Sequence, residues 1–172
     1  IILLSSNAVY GVFKNHKKIN EHTPLYPDTF YGLAKVVSEK IIQLSVNEKK
    51  LLILRPTTIY GPNELIIAKT PSGFLRKSYN NQVISLWGDG SEIRDFLFID
   101  DVVKIIKKII NKNIFDKLNI ASGEKNSYAK SIKAISKVFN KKIYFKSKKR
   151  TLIPVNKIYD INLFYKYFPK YK

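Results

Sequence analysis

Two apolar segments of strand length, with a helical pattern between them, constrain the fold of this chain most. Residues 1–4 and 51–55 (LLILR) are nearly continuous apolar runs, typical of strands buried on both faces of a parallel sheet. Residues 30–46 repeat apolar side chains at helical spacing, namely Leu33, Val36, Val37, Ile41 and Leu44. Strand, helix and strand in this order predict a βαβ unit and therefore an α/β fold.

The rest of the chain is predicted as loops and a smaller mixed region. Polar, proline-containing loops cover residues 12–29 and 56–73. Expected helices run near 73–80, from Asp100 as N-cap through Ile110, from Ser127 as N-cap through Val138, and from Asp160 as N-cap through Phe168. Expected strands are 83–87, 94–99, 117–121 and 141–145, the first two flanking the turn GDGS. The inward-facing side chains of the helix after Ser127 are expected to be Ile132, Ile135 and Val138.

The composition limits the class of protein. The 172 residues include no methionine, and since a complete translated chain begins with Met, we interpret the sequence as a fragment. The absence of cysteine excludes disulfides and thiolate chemistry and fits a reducing, cytoplasmic location. No stretch approaches the ~20 apolar residues of a membrane span. His16 and His22 lie in a polar loop without carboxylates at metal-ligand spacing, so no metal site is expected.

The charge of the chain is asymmetric. The formal net charge is +18, and residues 102–172 contribute 19 Lys and Arg against 3 Asp and Glu. Nucleic-acid binding is therefore one alternative, with a steep salt dependence as its signature. Only four of the 31 basic residues are Arg, however, and lysines scattered around helices match a groove-reading protein poorly. The same positive field would favour a small anionic ligand, which we prefer.

The residues that carry chemistry cluster at the predicted strand ends. Ser5 and Ser6 end the first strand and Pro56–Thr58 follow the second, and ligands of open parallel sheets bind beyond the carboxyl ends of strands. Tyr31 and Lys35 are one helical turn apart and share a helix face. An ammonium beside a phenol favours the phenolate, and a nearby serine hydroxyl can hold a substrate oxygen while its proton moves. This combination suits hydride transfer at a secondary alcohol.

The spacing Tyr-x-x-x-Lys occurs three times in the chain, so the spacing alone is weak evidence. Tyr10/Lys14 falls in the turn after the first strand, and Tyr144/Lys148 falls in a strand-to-tail segment. Only Tyr31/Lys35 lies in a predicted helix, where a four-residue spacing brings two side chains together.

Five blocks in order give the chain a resemblance to a known family. They are SSNAVYG (5–11), EHTPLYPDTFYGLAKVVSE (21–39), LRPTTIYGP (54–62), GDGSEIRDFLFIDDVV (88–103) and LNIASGE (118–124). Together they resemble the extended short-chain dehydrogenase/reductases, in the NAD-dependent epimerase/dehydratase family that acts on nucleotide sugars. The resemblance runs from Ile1 to about Asp160.

The resemblance implies roles for particular residues. The catalytic hydroxyl, tyrosine and lysine of the family fall on Ser6, Tyr31 and Lys35. The nicotinamide and ribose pocket would use Tyr31, Lys35, Pro56 and Thr58. The substrate, a nucleotide-diphosphate sugar, would contact Ser6, Asn7 and Thr58, with Arg94 and Arg150 on its diphosphate oxygens, which a planar guanidinium binds well.

The sequence departs from the family at three places. None of its seven glycines forms G-x-G-x-x-G or G-x-x-G-x-x-G, the turn that binds a dinucleotide pyrophosphate. Asn7 and Ala8 stand where 4,6-dehydratases of the family carry Asp-Glu, which disfavours dehydration. Thr58 stands where many members carry an asparagine that contacts the substrate.

We therefore expect the C-terminal part of a doubly wound, Rossmann-type parallel sheet plus a smaller mixed α/β substrate-binding region. Residues 1–62 would be the second half of the NAD-binding domain. Residues 63–172 would mostly bind the nucleotide sugar, with 94–121 returning strands and a helix to the core. The helix at 30–46 is an expected homodimer contact of the intact enzyme.

The expected function is that of a nucleotide-sugar epimerase with NAD or NADP as cofactor, of the kind used in polysaccharide biosynthesis. The alternatives are a related 4-ketoreductase, an inactive truncated remnant or, less favoured, a basic nucleic-acid-binding module.

The missing glycine-rich turn predicts that these 172 residues alone bind NAD⁺ weakly or not at all, because backbone N–H groups at that turn hold the pyrophosphate. Isothermal titration calorimetry with NAD⁺ checks this. A micromolar dissociation constant would contradict it.

Overall fold

The structure, a computed structural model, describes residues 1–12, 18–47, 50–64, 70–151 and 155–169. Lys14 and His16 lie outside the described residues. The helices are α1 (Phe30–Ser45), α2 (Ser72–Tyr79), α3 (Ile99–Ile110), α4 (Tyr128–Val138) and α5 (Asn162–Tyr167). The strands are β1 (Ile2–Leu4), β2 (Leu52–Pro56), β3 (Thr58–Tyr60), β4 (Ile84–Trp87), β5 (Ile93–Arg94), β6 (Phe96–Phe98), β7 (Lys117–Ile120), β8 (Asn126–Ser127) and β9 (Phe145–Lys148).

The main sheet is parallel, with strand order β1-β2-β7. Its register pairs Leu4 with Leu54 and Arg55 with Asn119, so the three strands end at one edge. One face of this sheet packs on α3 and α5, in a core formed by Leu52, Leu54, Leu97, Val102, Ile105, Ile109, Ile114, Leu118, Ile120, Phe164 and Phe168. The predicted α/β class and the parallel βαβ unit are confirmed.

The first strand is less buried than its apolar sequence predicts. Among the described strands β1 pairs only with β2, and Ile1 and Leu4 are 60% and 49% exposed. The prediction that this strand is buried on both faces is therefore wrong for the described chain. An apolar run indicates which residues suit a buried sheet, but it does not indicate whether a neighbour covers both faces.

Helix α1 has the predicted position, and most of its apolar side chains are exposed. It begins one residue after Thr29, whose Oγ1 accepts a hydrogen bond from the backbone N–H of Gly32 at 3.0 Å. Its apolar side chains Leu33, Val37, Ile41 and Leu44 are exposed, and Leu44 is 76% exposed. Its buried residues are Gly32 and Glu39. Since a Cβ on Gly32 would lie 2.5 Å from the carbonyl oxygen of Ala8, glycine permits the helix start to approach that residue.

Glu39 points into the protein because it binds the buried guanidinium of Arg55. Nε of Arg55 donates to Oε1 of Glu39 at 2.9 Å, and Nη2 donates to Oε2 at 2.6 Å. Both side chains are almost completely buried, at 2% and 3% exposure. Ser5, at the end of β1, donates its hydroxyl to Oε1 of Glu39 at 2.5 Å. The ion pair thus joins α1 to the ends of β1 and β2.

The network continues through a tyrosine to the third strand. Nη1 of Arg55 donates to the phenol oxygen of Tyr10 at 2.9 Å, and that phenol donates to Oδ1 of Asn119 in β7 at 2.7 Å. Tyr10 lies in a short 3-10 helix, Asn7–Tyr10, that follows β1. Burial raises the pKa of Tyr10, so its phenol stays protonated and can donate this bond.

A second region, comprising α2, β4 and α4, has its own apolar core, formed by Phe74, Ile84, Leu86, Ile132 and Ile135. The strand expected at 83–87 is confirmed as β4, whereas the strand expected at 94–99 is divided into β5 and β6. These strands do not pair with each other. Instead β4 pairs with β9 in parallel, β5 with β8 antiparallel, and β6 with β3 in parallel. Strand β3 was not predicted.

Several predicted details of the helices are corrected. Helix α3 begins at Ile99, so Asp100 lies in its first turn and is not its N-cap. Ser127 caps α4 as predicted, accepting from the N–H of Lys130 at 3.0 Å, but Val138 is 79% exposed. The strand expected at 141–145 begins only at Phe145. Helix α5 runs from Asn162 to Tyr167 with Ile161 at the N-cap, so Asp160 is not the N-cap, although its Oδ1 accepts from the N–H of Asn162 at 2.9 Å.

Within the described residues, no helix is both long enough and apolar enough to cross a bilayer.

Removing the carboxylate of Glu39 should destabilise the protein strongly. Glu39→Gln leaves the buried charge of Arg55 uncompensated, which typically costs about 3 kcal/mol or more. Urea denaturation measures the free energy of unfolding. Lys40→Gln, on an exposed position of the same helix, is the control and should change it by less than about 0.5 kcal/mol. Equal stability of the two variants would contradict the assigned role of the ion pair.

Candidate active site

The hydroxyl of Ser6 lies where β1 ends. Its Oγ accepts a hydrogen bond from the N–H of Ala8 at 3.1 Å and so caps the short 3-10 helix that follows. The same Oγ donates to Oδ1 of Asn7 at 3.4 Å. The hydroxyl of Ser6 is thus held at the strand end by the two residues that follow it in the chain.

Tyr31 and Lys35 lie together on the first two turns of α1. Nζ of Lys35 is 5.8 Å from the ring centroid of Tyr31, and it donates to the carbonyl oxygen of Leu4 at 3.0 Å. Leu4 is the last residue of β1, so this bond holds the ammonium beside the strand end that carries Ser5 and Ser6. Tyr31 is 58% exposed, and its phenol is accessible to a ligand.

A cleft of about 840 Å³ lies between the strand ends and the second region. Of the predicted site residues, Asn7, Thr58, Arg94 and Arg150 line it. Ser6, Tyr31 and Lys35 do not line it, although the neighbours Ala8 and Thr29 do. Pro56 is the buried last residue of β2. The predicted substrate residues therefore share one cleft, and the predicted catalytic residues lie beside one of its walls.

Both predicted diphosphate-binding arginines are bound to a single carboxylate. Nη2 of Arg94 is 2.6 Å from Oε1 of Glu92, and Nη2 of Arg150 is 3.1 Å from Oε2. Arg94 also donates to the carbonyl oxygen of Val155, and Arg150 donates to that of Trp87 at 2.8 Å. These bonds fix the two guanidinium groups side by side on one wall of the cleft.

Burial opposes the ionisation of Glu92, but the positive charge of Arg94 and its hydrogen bonds outweigh burial and hold the pKa of Glu92 below its ordinary value. Sequence reasoning missed this residue. Glu92 lies just before β5 and outside the strand expected at 94–99, so no predicted element indicated that it would bind both arginines.

Asn7 is held by two further residues that sequence reasoning missed. Its Nδ2 donates to the phenol oxygen of Tyr159 at 2.9 Å and to Oγ1 of Thr57 at 3.4 Å. Burial raises the pKa of Tyr159, so this phenol stays neutral. Because Tyr159 lies 152 positions from Asn7, no local pattern in the sequence could reveal the contact.

The cleft is electropositive. Its lining includes the cations Lys77, Arg94, Lys148, Arg150 and Lys157, against the carboxylates Asp28 and Glu92. Such a lining attracts an anionic ligand and suits diphosphate or carboxylate oxygens.

A sequence profile described as "NAD dependent epimerase/dehydratase family" matches residues 1–121 of the chain. The chain belongs to this family. The predicted resemblance to extended short-chain dehydrogenase/reductases is thereby confirmed. The matched residues include every predicted site residue except Arg150.

Curated relatives in this family include both epimerases and reductases. The chain is 28% identical over 148 residues to an uncharacterized UDP-glucose epimerase of Bacillus subtilis, covering 82% of this chain and 45% of the relative. It is 31% identical over 147 residues to dTDP-4-dehydro-6-deoxyglucose reductase of Escherichia coli, and the match covers 83% of this chain and 46% of the reductase. The chain thus spans about half the length of the curated relatives it matches.

A solved structure shares the fold. It is a variant of UDP-glucuronic acid 4-epimerase from Bacillus cereus, in complex with UDP-4-deoxy-4-fluoro-glucuronic acid and NAD. The TM-score is 0.83 at 23% identity, and the match covers 96% of this chain and 54% of the other. The predicted Rossmann-type architecture is confirmed by this likeness.

Replacing Glu92 by glutamine should destabilise the protein in a pH-dependent way. The pKa of Glu92 is lower in the folded than in the unfolded protein, so ionised Glu92 contributes stability above its unfolded pKa of about 4.3. That contribution is lost as the pH falls through the folded value. Urea denaturation of wild type and Glu92→Gln at pH 7 and pH 3.5 should show a gap that narrows on acidification. A gap that does not change with pH would contradict this prediction.

Proposed function

We propose that this chain carries the catalytic and substrate-binding residues of an NAD-dependent nucleotide-sugar epimerase. The observation that carries the proposal is the position of Lys35, which lies beside the ring of Tyr31 and is bonded to the strand end that bears Ser6. The nearby cleft is lined by residues close to them in sequence, Asn7 and Thr29, and by two arginines that Glu92 orders.

The residues of this chain suit the nicotinamide end of the cofactor. The phenol of Tyr31 is accessible and the Lys35 ammonium is adjacent, a donor pair that fits ribose hydroxyls. Tyr31, Lys35, Pro56 and Thr58 would hold that end. The chain's sequence contains no glycine-rich turn for the pyrophosphate. When bound, NAD supplies reversible hydride acceptance.

The proposed chemistry at the sugar is a proton transfer. Tyr31, as phenolate, takes the proton of a sugar hydroxyl, while the hydroxyl of Ser6 donates a hydrogen bond to the same oxygen. Lys35 stabilises the phenolate by its positive charge. Tyr31 then returns the proton when the ketone is reduced from its other face, which inverts the carbon.

The substrate would lie along the cleft. Arg94 and Arg150 would bind the diphosphate, while Asn7 and Thr58 would contact the sugar. Residues 1–62 then belong to the cofactor side and residues 63–172 mostly to the substrate side, with 94–121 contributing to the core. The exposed apolar side chains of α1, which include Leu33 and Leu44, support this helix as a homodimer contact.

A nucleotide-sugar 4-ketoreductase is the second candidate. The relative in Escherichia coli is a reductase and is 31% identical to this chain, which favours this alternative. A reductase would use the same Ser6, Tyr31 and Lys35 in one direction only. Asn7 and Ala8, in place of an acid and a base, argue against dehydration for both candidates.

Nucleotide-sugar binding tests the proposal directly on this chain. UDP-glucose, dTDP-glucose and GDP-mannose are titrated calorimetrically, and at least one should bind. Arg150→Gln should weaken that binding about tenfold, because a charged hydrogen bond to phosphate is lost. Lys133→Gln, on an exposed position of α4, should leave it unchanged. Failure of all three ligands to bind would contradict the proposal.

Turnover of the intact protein separates the two candidates. An epimerase interconverts 4-epimeric nucleotide sugars without net consumption of reductant, whereas a ketoreductase consumes NAD(P)H with a 4-keto sugar. Tyr31→Phe should lower either rate by roughly 10²- to 10⁴-fold.

A further inference from the structure

Lys157 occupies the cleft on a backbone segment that is fixed on both sides. Its own N–H donates to the carbonyl oxygen of Ile93 at 3.1 Å, and the preceding Asn156 accepts from the N–H of Ile93 at 2.8 Å. Farther along the segment, Tyr159 is bonded to Asn7. The root of the Lys157 side chain is therefore held in place before any ligand binds.

The ammonium of Lys157 differs from the two arginines in its bonding. Arg94 and Arg150 are each bound to Glu92 and to backbone carbonyls. Nζ of Lys157 makes no hydrogen bond or ion pair with any residue that the structure describes. Burial, and then the charge of Arg94, lower the pKa of Lys157, whereas Asp28 and Glu92 act in the opposite direction. A half-buried ammonium without a direct partner gains most from an anion.

The position of Lys157 indicates which part of a ligand it meets. Arg94, Glu92 and Asp28 line the same cleft as Lys157, and all three act on it electrostatically. Asp28 precedes Thr29, the residue that caps the helix bearing Tyr31. Lys157 thus lines the cleft together with the paired arginines and with Asn7, the proposed sugar contact, so its ammonium is available to a group on the sugar of a nucleotide sugar.

We propose that Lys157 binds a carboxylate on the sugar of the substrate, so that the site prefers a nucleotide-linked uronic acid to a neutral hexose. This inference rests on the proposed function of the same cleft. A carboxylate would complete the bonding of the ammonium with a charge-assisted hydrogen bond, whereas the hydroxymethyl group of a neutral hexose offers only a neutral acceptor. Discrimination follows because an unpaired cation in a partly buried site disfavours the neutral ligand.

The test uses three ligands that share one nucleotide. UDP-glucuronate, UDP-glucose and UDP are titrated calorimetrically into the wild-type chain, Lys157→Met and the control Lys133→Met. Wild type and control should bind UDP-glucuronate at least about tenfold more tightly than UDP-glucose. Lys157→Met should abolish this preference and leave the affinities for UDP-glucose and UDP within about twofold. Thermal melting of each variant verifies that it is folded.

Each other outcome overturns the inference in a distinguishable way. Equal weakening of all three ligands in Lys157→Met would mean that this ammonium binds the diphosphate. Equal affinity of the wild type for UDP-glucuronate and UDP-glucose would exclude a carboxylate site, and this comparison needs no variant. In both cases the proposed function would stand. If none of the three ligands bound, the proposed function and the inference would fail together.

Discussion

A buried ion pair between Arg55 and Glu39 is the interaction on which the rest of this structure depends. Two charges with 2% and 3% exposure are costly to remove from water, and the cost is offset only when their remaining donors and acceptors are also satisfied. Here they are, through Ser5 and through Tyr10. The ion pair therefore connects α1 to the ends of β1 and β2 through polar contacts, and it fixes their relative position.

That position determines the geometry of the candidate site. With Glu39 directed at the sheet, α1 presents Tyr31 and Lys35 beside the end of β1, and Lys35 reaches the carbonyl of Leu4. The ion pairs of Glu92 with Arg94 and Arg150 hold these two cleft-lining arginines in place. The hydrogen bond from Asn7 to Tyr159 connects the C-terminal segment to the residues that follow β1. These polar contacts, together with a buried cluster that includes Val9, Tyr10 and Tyr159, connect the residues proposed for catalysis with those proposed for substrate binding.

The sequence predicted the elements well where local rules decide them. The continuous apolar run of β2, the spacing of α1 and the serine cap of α4 are local signals, and all three are confirmed. Orientation depends on partners that are distant in sequence. The apolar spacing of α1 identified the helix but did not indicate that Glu39 faces the sheet, because its partner Arg55 lies 16 positions away. Tyr159 and Glu92 were missed for a similar reason, since Tyr159 bonds Asn7, 152 positions away, and Glu92 binds Arg150, 58 positions away.

The curated relatives of this chain are named as epimerases, reductases and dehydratases, and the residues that line its cleft are those that we propose to distinguish such substrates. Its cations, its threonine at position 58 and its asparagine at position 7 are the groups that a bound sugar would meet. A crystal structure of the chain with a bound nucleoside diphosphate sugar is the decisive experiment. We expect the diphosphate on Arg94 and Arg150, with the sugar between Asn7 and the phenol of Tyr31. A diphosphate bound away from both arginines, or a sugar that does not approach Tyr31, would contradict this expectation.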